Sequence, residues 1–270
     1  MSNIVIRTLS GAVYVALLVV SIVWHPVACA VVMGCFMLLC VHEYCTMVNR
    51  MDGVRVLEWY VLLTAALIYL GRLSLLPAFI GTIGWMRGVF WLALLALPVI
   101  ELFRNKGNAL THVGYTLTGL LLVAVPFSLM NVLQAESRWL LLAVFVIIWV
   151  NDTFAYLAGM AIGKHRMMER VSPKKSWEGF CGGAVMAIGA SMLYFHLLGE
   201  KNMLFAIALA LLVVIFGTLG DFVESLVKRI AGVKDSSHLM PGHGGFYDRF
   251  DSALMATLAV YATMLMASAY

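Results

Sequence analysis

The sequence predicts an all-α integral membrane protein, a polytopic bundle of about nine transmembrane helices with a polar site at the cytoplasmic face. Three observations carry that expectation. The 270 residues are 63% hydrophobic and only 12% charged, with a mean hydropathy of +0.95, whereas soluble domains are about half apolar and about a quarter charged. So few charges cannot cover a water-facing surface, and lipid must solvate much of the chain. The apolar residues also fall into stretches close to the ~20 residues that a membrane helix needs. Finally, the basic residues crowd the segments on one side of those stretches, as the positive-inside rule requires.

The stretches run at about 9–24, 27–48, 57–71, 88–103, 113–133, 139–160, 178–199, 202–220 and 252–269. The first follows Arg7 and lacks a small-residue cleavage site, so it reads as a first span and not as a removed signal peptide. His25-Pro26 divides it from the second, because proline ends or kinks a helix at the residue before it. Cys29, Cys35, Cys40 and Cys45 lie within the second stretch, at intervals of six, five and five. That is neither a CxxC clip nor a loop-borne disulfide framework, so they read as small apolar residues on a buried helix. The third and fourth stretches are short, and the segment from Arg72 to Arg87, with Pro77 and several glycines, reads as re-entrant or interfacial. Ala155, Gly159 and Gly163 recur every fourth residue, and Gly179, Gly182 and Gly183 recur in the next span; both series point to close helix packing.

With the N-terminus on the cytoplasmic side, nine crossings place fourteen of the 18 basic residues in cytoplasmic segments and leave Arg72, Arg87, Arg138 and Lys201 outside. The chain reads as one polytopic domain over 1–270, in which 1–148 is mainly scaffold and 149–270 carries the chemistry. Charge supports that division: residues 1–150 hold five of the 14 acidic groups and residues 151–251 hold the other nine. No room remains for a separate soluble domain, and no nucleic-acid partner is expected.

Asp221, Glu224, Ser225 and Lys228 stand at i, i+3, i+4 and i+7, which puts all four on one face of a helix leaving the bilayer. Carboxylates at a membrane edge are costly and therefore point to function. Lys234-Asp235 and Pro241-Gly242-His243-Gly244-Gly245 follow; such glycine turns expose backbone N–H groups that approach phosphate oxygens. Asp248 and Asp251, three apart where the last span begins, suit a hard cation or a helix N-terminus. Asp152 lies near the end of an apolar stretch, where a cation or lysine is expected beside it. Lys174 and Lys175, mobile point charges, suit phosphate contact. His42, Glu43 and Glu101 are weaker candidates, as compatible with interfacial anchoring or ion pairing as with a site. His112 and His196 read as interfacial or packed polar residues.

These residues resemble a known family. The run from Ser225 through Lys228-Arg229 and Lys234-Asp235 to Pro241–Asp251 resembles the signature of the phosphatidate cytidylyltransferases, or CDP-diacylglycerol synthases. Ser172-Pro173-Lys174-Lys175-Ser176-Trp177-Glu178-Gly179 and Asn151-Asp152-Thr153 with Gly163-Lys164-His165 look like the same family's upstream motifs. The chain departs from the pattern at Met240, Ser237-His238 and Phe154, none of them a charged position.

The resemblance implies condensation of CTP with phosphatidic acid to CDP-diacylglycerol and pyrophosphate, by in-line attack of a phosphatidate oxygen on the α-phosphorus. It implies magnesium and leaves open a second cation, with Asp221 and Asp248 as principal ligands and Asp152 or Asp251 assisting. Asp221, Lys228, Arg229, Asp248 and Arg249 are the implied catalytic groups. Lys174, Lys175, Ser176, Ser225, Lys234, Asp235, His243, Gly244 and Gly245 would bind substrate. A homodimer in the cytoplasmic (inner) membrane, its active site facing the cytoplasm, is implied as well. Two other readings share some of these residues. One is a CTP-dependent enzyme acting on an ether lipid or polyprenol. The other is an ion-coupled transporter, which the placement of the glycine break and basic loops outside the apolar spans disfavours.

Overall fold

Proline and short polar breaks cut the apolar sequence into helices. The computed structural model describes residues 3–73, 85–104 and 108–268. Among the described residues ten α-helices follow one another: α1 (Asn3–Trp24), α2 (Pro26–Val48), α3 (Glu58–Leu73), α4 (Met86–Arg104), α5 (Ala109–Gly119), α6 (Val125–Glu136), α7 (Arg138–Ile162), α8 (Trp177–Leu197), α9 (Met203–Ile230) and α10 (Tyr247–Ser268). A π-helical turn, Leu120–Ala124, joins α5 to α6. Pro126 has no N–H for the carbonyl four residues back, and the turn just before it is widened.

Among the described residues, eight helical segments are long and apolar enough to cross a membrane, with α5, the π turn and α6 counting as one of 28 residues. The expected third stretch forms α3, which is described over 16 residues up to Leu73. Most of the segment expected to be re-entrant, residues 74–84, lies outside the described residues. Large apolar side chains such as Trp24, Phe103, Leu110 and Leu204 are more than 70% exposed, as lipid-facing residues are. The all-α polytopic architecture is therefore as expected, with one addition. Residues between α7 and α8 form a small antiparallel hairpin, β1 (Arg166–Met168) with β2 (Ser172–Ser176).

The chain forms two units. The first comprises Met1–Arg138 and Val227–Phe250. Its core is α2, buried along half its length: Cys29, Cys40 and Cys45 are enclosed, while Cys35 faces outward. Pro26 occupies the first turn of α2 behind His25, whose Nδ1 accepts from Val27 N. Tyr69 of α3 donates to the Ala30 carbonyl at 2.6 Å and accepts from Asn131 of α6 at 2.7 Å. An aromatic cluster completes this core. Phe250 is fully buried against Phe127 (4.8 Å between centroids), Phe36 (5.2 Å) and Tyr14 (5.7 Å), and Phe246 stacks beside Phe36. The start of α10 is thus held by α1, α2 and α6.

The second unit comprises Trp139–Leu226 and Asp251–Tyr270. Small residues set its helix spacing: a Cβ on Gly182 would fall 2.6 Å from Ala158 Cβ, and one on Gly183 would fall 2.7 Å from the Asn151 carbonyl. Only glycine lets α7 and α8 approach this closely. Ser191 of α8 donates to the Ala206 carbonyl of α9 at 2.8 Å. Helices α9 and α10 each contribute residues to both units.

Candidate functional site

In the second unit, α9 and α10 bring acids together. One carboxylate oxygen from each of Asp221, Glu224 and Asp251 lies within 4.8 Å of the others. The i, i+3 spacing puts Asp221 and Glu224 on one helical face, and Gly220 admits the facing helix, since a Cβ there would meet the Asp251 carbonyl at 2.4 Å. Glu224 is buried, at 1% exposure. Buried like charges at this spacing repel unless a cation or proton joins them, and hard oxygen donors of this kind suit a divalent ion such as magnesium. Lys175 at the end of β2 supplies one positive charge: its Nζ lies 2.6 Å from Asp221 Oδ2 and 4.9 Å above the Phe222 ring. Ser225 donates to Asp221 Oδ1 at 3.1 Å. Asp152 of α7 is exposed, receives a hydrogen bond from Asn151 Nδ2, and lies within electrostatic reach of Asp251.

The hairpin that carries Lys174 and Lys175 is tied at its base. Glu178, in the first turn of α8, accepts from Lys164 N, His165 N and His165 Nδ1, a favourable place for a carboxylate. Ser176 is the N-cap of α8, its Oγ accepting from Gly179 N at 3.2 Å. It is buried, so its hydroxyl serves the helix end in this conformation. Lys174 is exposed and its carbonyl accepts from Arg166.

The first unit holds the glycine loop. His243 N donates to Met240 O at 2.9 Å, with Pro241 and Gly242 as the central pair and φ +76° at Gly242; that is the residue order a type II turn demands. Gly244 also adopts a positive φ, +82°, and its carbonyl accepts from Met240 N. Asp248 lies under this loop. Its Oδ1 accepts from Lys228 Nζ at 2.8 Å, and its Oδ2 from Gly245 N at 2.8 Å and Ser236 N at 3.0 Å. Arg249 is exposed and donates to the His243 carbonyl. Lys234, Asp235 and Arg229 are also exposed.

Asp221 therefore groups with Asp251 and Lys175, and Asp248 groups with Lys228. Two acids to which the sequence assigns no role in the site are prominent in the structure. Glu224 was placed on the right face without a role. Glu43, treated as a weak candidate, is 1% exposed and accepts from Ser236 and Ser237 hydroxyls and from Phe246 and Tyr247 N–H groups. Its signal was present: a carboxylate inside an apolar span is a functional candidate by default.

The sequence pattern of the cytidylyltransferase family matches residues 5–267. Relatives named phosphatidate cytidylyltransferase include one from Rickettsia felis, 31% identical over 206 residues, covering 72% of this chain and 91% of the relative. One from Haemophilus influenzae is 44% identical over 126 residues, covering 45% of this chain and 44% of the relative. One from Staphylococcus aureus is 35% identical over 169 residues, covering 62% of this chain and 64% of the relative.

Proposed function

This chain belongs to the cytidylyltransferase family, and we propose that it condenses CTP with phosphatidate, leaving CDP-diacylglycerol in the membrane and releasing pyrophosphate. It is a multi-pass membrane nucleotidyltransferase of phospholipid biosynthesis. The observation that carries the chemistry is the set of three carboxylate oxygens within 4.8 Å, with Lys175 alongside. Magnesium held by such ligands would neutralise the triphosphate as charge moves onto the leaving pyrophosphate. Asp221 and Asp248 remain the principal ligands of this reading, assisted by Asp251 and Asp152, and the spacing adds Glu224. Asp248 already faces a cation, the Lys228 ammonium.

A phosphatidate oxygen attacks the α-phosphorus of CTP in line, a new P–O bond forms and the bond to pyrophosphate breaks. The attacking phosphate is already anionic, so no side chain need remove a proton. Catalysis then consists of positioning and charge neutralisation. Lys174, Lys175, Lys228, Arg229 and Arg249 hold phosphates. Ser225 orients Asp221, Ser176 secures the helix behind Lys175, and Lys234, Asp235, His243, Gly244 and Gly245 shape the nucleotide loop. The basic residues support a cytoplasmic active site in an inner membrane. The family resemblance favours a homodimer.

Purified enzyme should release pyrophosphate from CTP only when magnesium and phosphatidic acid are both present. Asp248→Asn and Asp251→Asn should each abolish incorporation of labelled CTP into lipid while the protein still inserts and keeps its helix content. Near-wild-type turnover in both variants would sink the ligand assignment.

A further inference from the structure

A buried carboxylate is costly unless hydrogen bonds and positive charge replace its water. Among the described residues, Glu43 of α2 takes its hydrogen bonds from one distant segment. Its Oε1 accepts from Ser237 Oγ at 2.6 Å and Phe246 N at 3.0 Å. Its Oε2 accepts from Tyr247 N at 2.8 Å and lies 2.8 Å from Ser236 Oγ. The two serines precede the glycine loop and the two amides follow it, so one carboxylate pinches both ends of the loop together. The amides belong to the start of α10, where the helix dipole favours an anion. Ser236 Oγ also lies 3.1 Å from Asp248 Oδ2, and Asp248 ties the same two ends from within. A Cβ on Gly245 would fall 2.3 Å from Glu43 Oε2. The second glycine of the Gly244-Gly245 pair therefore makes room for this carboxylate.

We infer that Glu43 is a positioning residue for cytidylyl transfer: from outside the signature segment it sets the shape of the Pro241–Gly245 loop, and through Ser236 it fixes Asp248, so that CTP meets a preorganised loop. The inference rests on the proposed reaction with CTP. Glu43→Gln keeps one acceptor oxygen and turns the other position into an NH₂ that faces the Phe246 or Tyr247 N–H, so one amide at the start of α10 loses its acceptor. Groups that orient a reacting constellation from behind typically cost about 10–100-fold when changed. That is the loss in kcat/KM for CTP expected of Glu43→Gln, with a smaller loss in the same parameter for Ser237→Ala and partial recovery in Glu43→Asp.

Glu101 is the control, being another buried acid of the same unit that instead joins His112 and Arg104. Glu101→Gln should lower the melting temperature in detergent while leaving kcat/KM for CTP unchanged. If Glu43→Gln does not fold, Ser237→Ala and Glu43→Asp carry the measurement. The inference is overturned if these variants match wild type in kcat/KM for CTP, or if Glu101→Gln loses as much of it as they do. Failure of the wild-type enzyme to turn over CTP with phosphatidate would be seen before any variant is made, and would overturn the reaction itself.

Discussion

His243 sits where the glycine loop meets the first helix. Its Nδ1 lies 2.9 Å from Ser10 Oγ, and its ring packs so near Gly11 that a Cβ there would be 3.2 Å away. Burial holds its pKa below the ordinary value of 6.5, Arg249 and Arg7 push it the same way, and a backbone hydrogen bond at Pro241 opposes them. The unfolded chain thus takes up this proton at a higher pH than the folded one. The contribution to stability is full above the ordinary histidine value and is lost as pH falls through the lowered one. Thermal unfolding from neutral to mildly acidic pH should show wild type losing more stability than His243→Gln over that window; parallel curves would remove His243 as the cause. At this scale some of the site was legible in the sequence. The i, i+3, i+4 spacing placed Asp221, Glu224 and Ser225 together because a helix repeats locally. Glu43 meets partners 193 to 204 residues away, and no local period encodes such a distance.

The elements were legible wherever hydropathy set them. Helices α7 and α8 match their apolar stretches closely, because in lipid only a helix satisfies its own backbone, whereas α9 runs on past Gly220 to Ile230 and α10 already begins at Tyr247. The hairpin was not foreseen: Ser172–Ser176 carries a proline and two lysines and lacks the alternation of a half-buried strand. It pairs because the chain between α7 and α8 is short and Glu178 closes its base. The π turn was equally hidden, since Pro126 announces a disturbance without specifying its form. Small residues pointed to close packing of both α7 and α8, and the structure packs the two on each other, which sets a steric limit. Gly183→Leu would drive a side chain into Asn151 and Ala155 and should cost at least about 1–3 kcal/mol by overpacking. Loss of resistance to thermal aggregation in detergent would measure it, and an unchanged midpoint would mean that the helices part without penalty.

For the whole molecule, charge along the chain determines which side of the membrane each loop occupies. Lys174 stands in a segment crowded with basic residues, and Lys201, at the other end of α8, is among the four that the positive-inside rule assigns to the opposite face. A cysteine at 174, in a background lacking exposed cysteines, should react with an impermeant maleimide only in inverted vesicles, and a cysteine at 201 only in right-side-out ones. Labelling of both from one side would overturn the assigned topology. The division into two units was the least legible feature of all. It follows three-dimensional packing, which assigns residues 227–250 to a unit otherwise built from residues 1–138.

The pinch on Glu43 also has a consequence for how the protein is made. Its last partner lies 204 residues downstream, and at ~5–20 residues per second that is about 10–40 s of translation. Throughout that interval α2 is already in place while its carboxylate awaits its final partners. It must stay hydrated at the membrane surface or be sheltered by insertion factors. A nascent chain interrupted before residue 236 would keep a carboxylate in its second helix without the hydrogen-bond partners that it has in the folded protein.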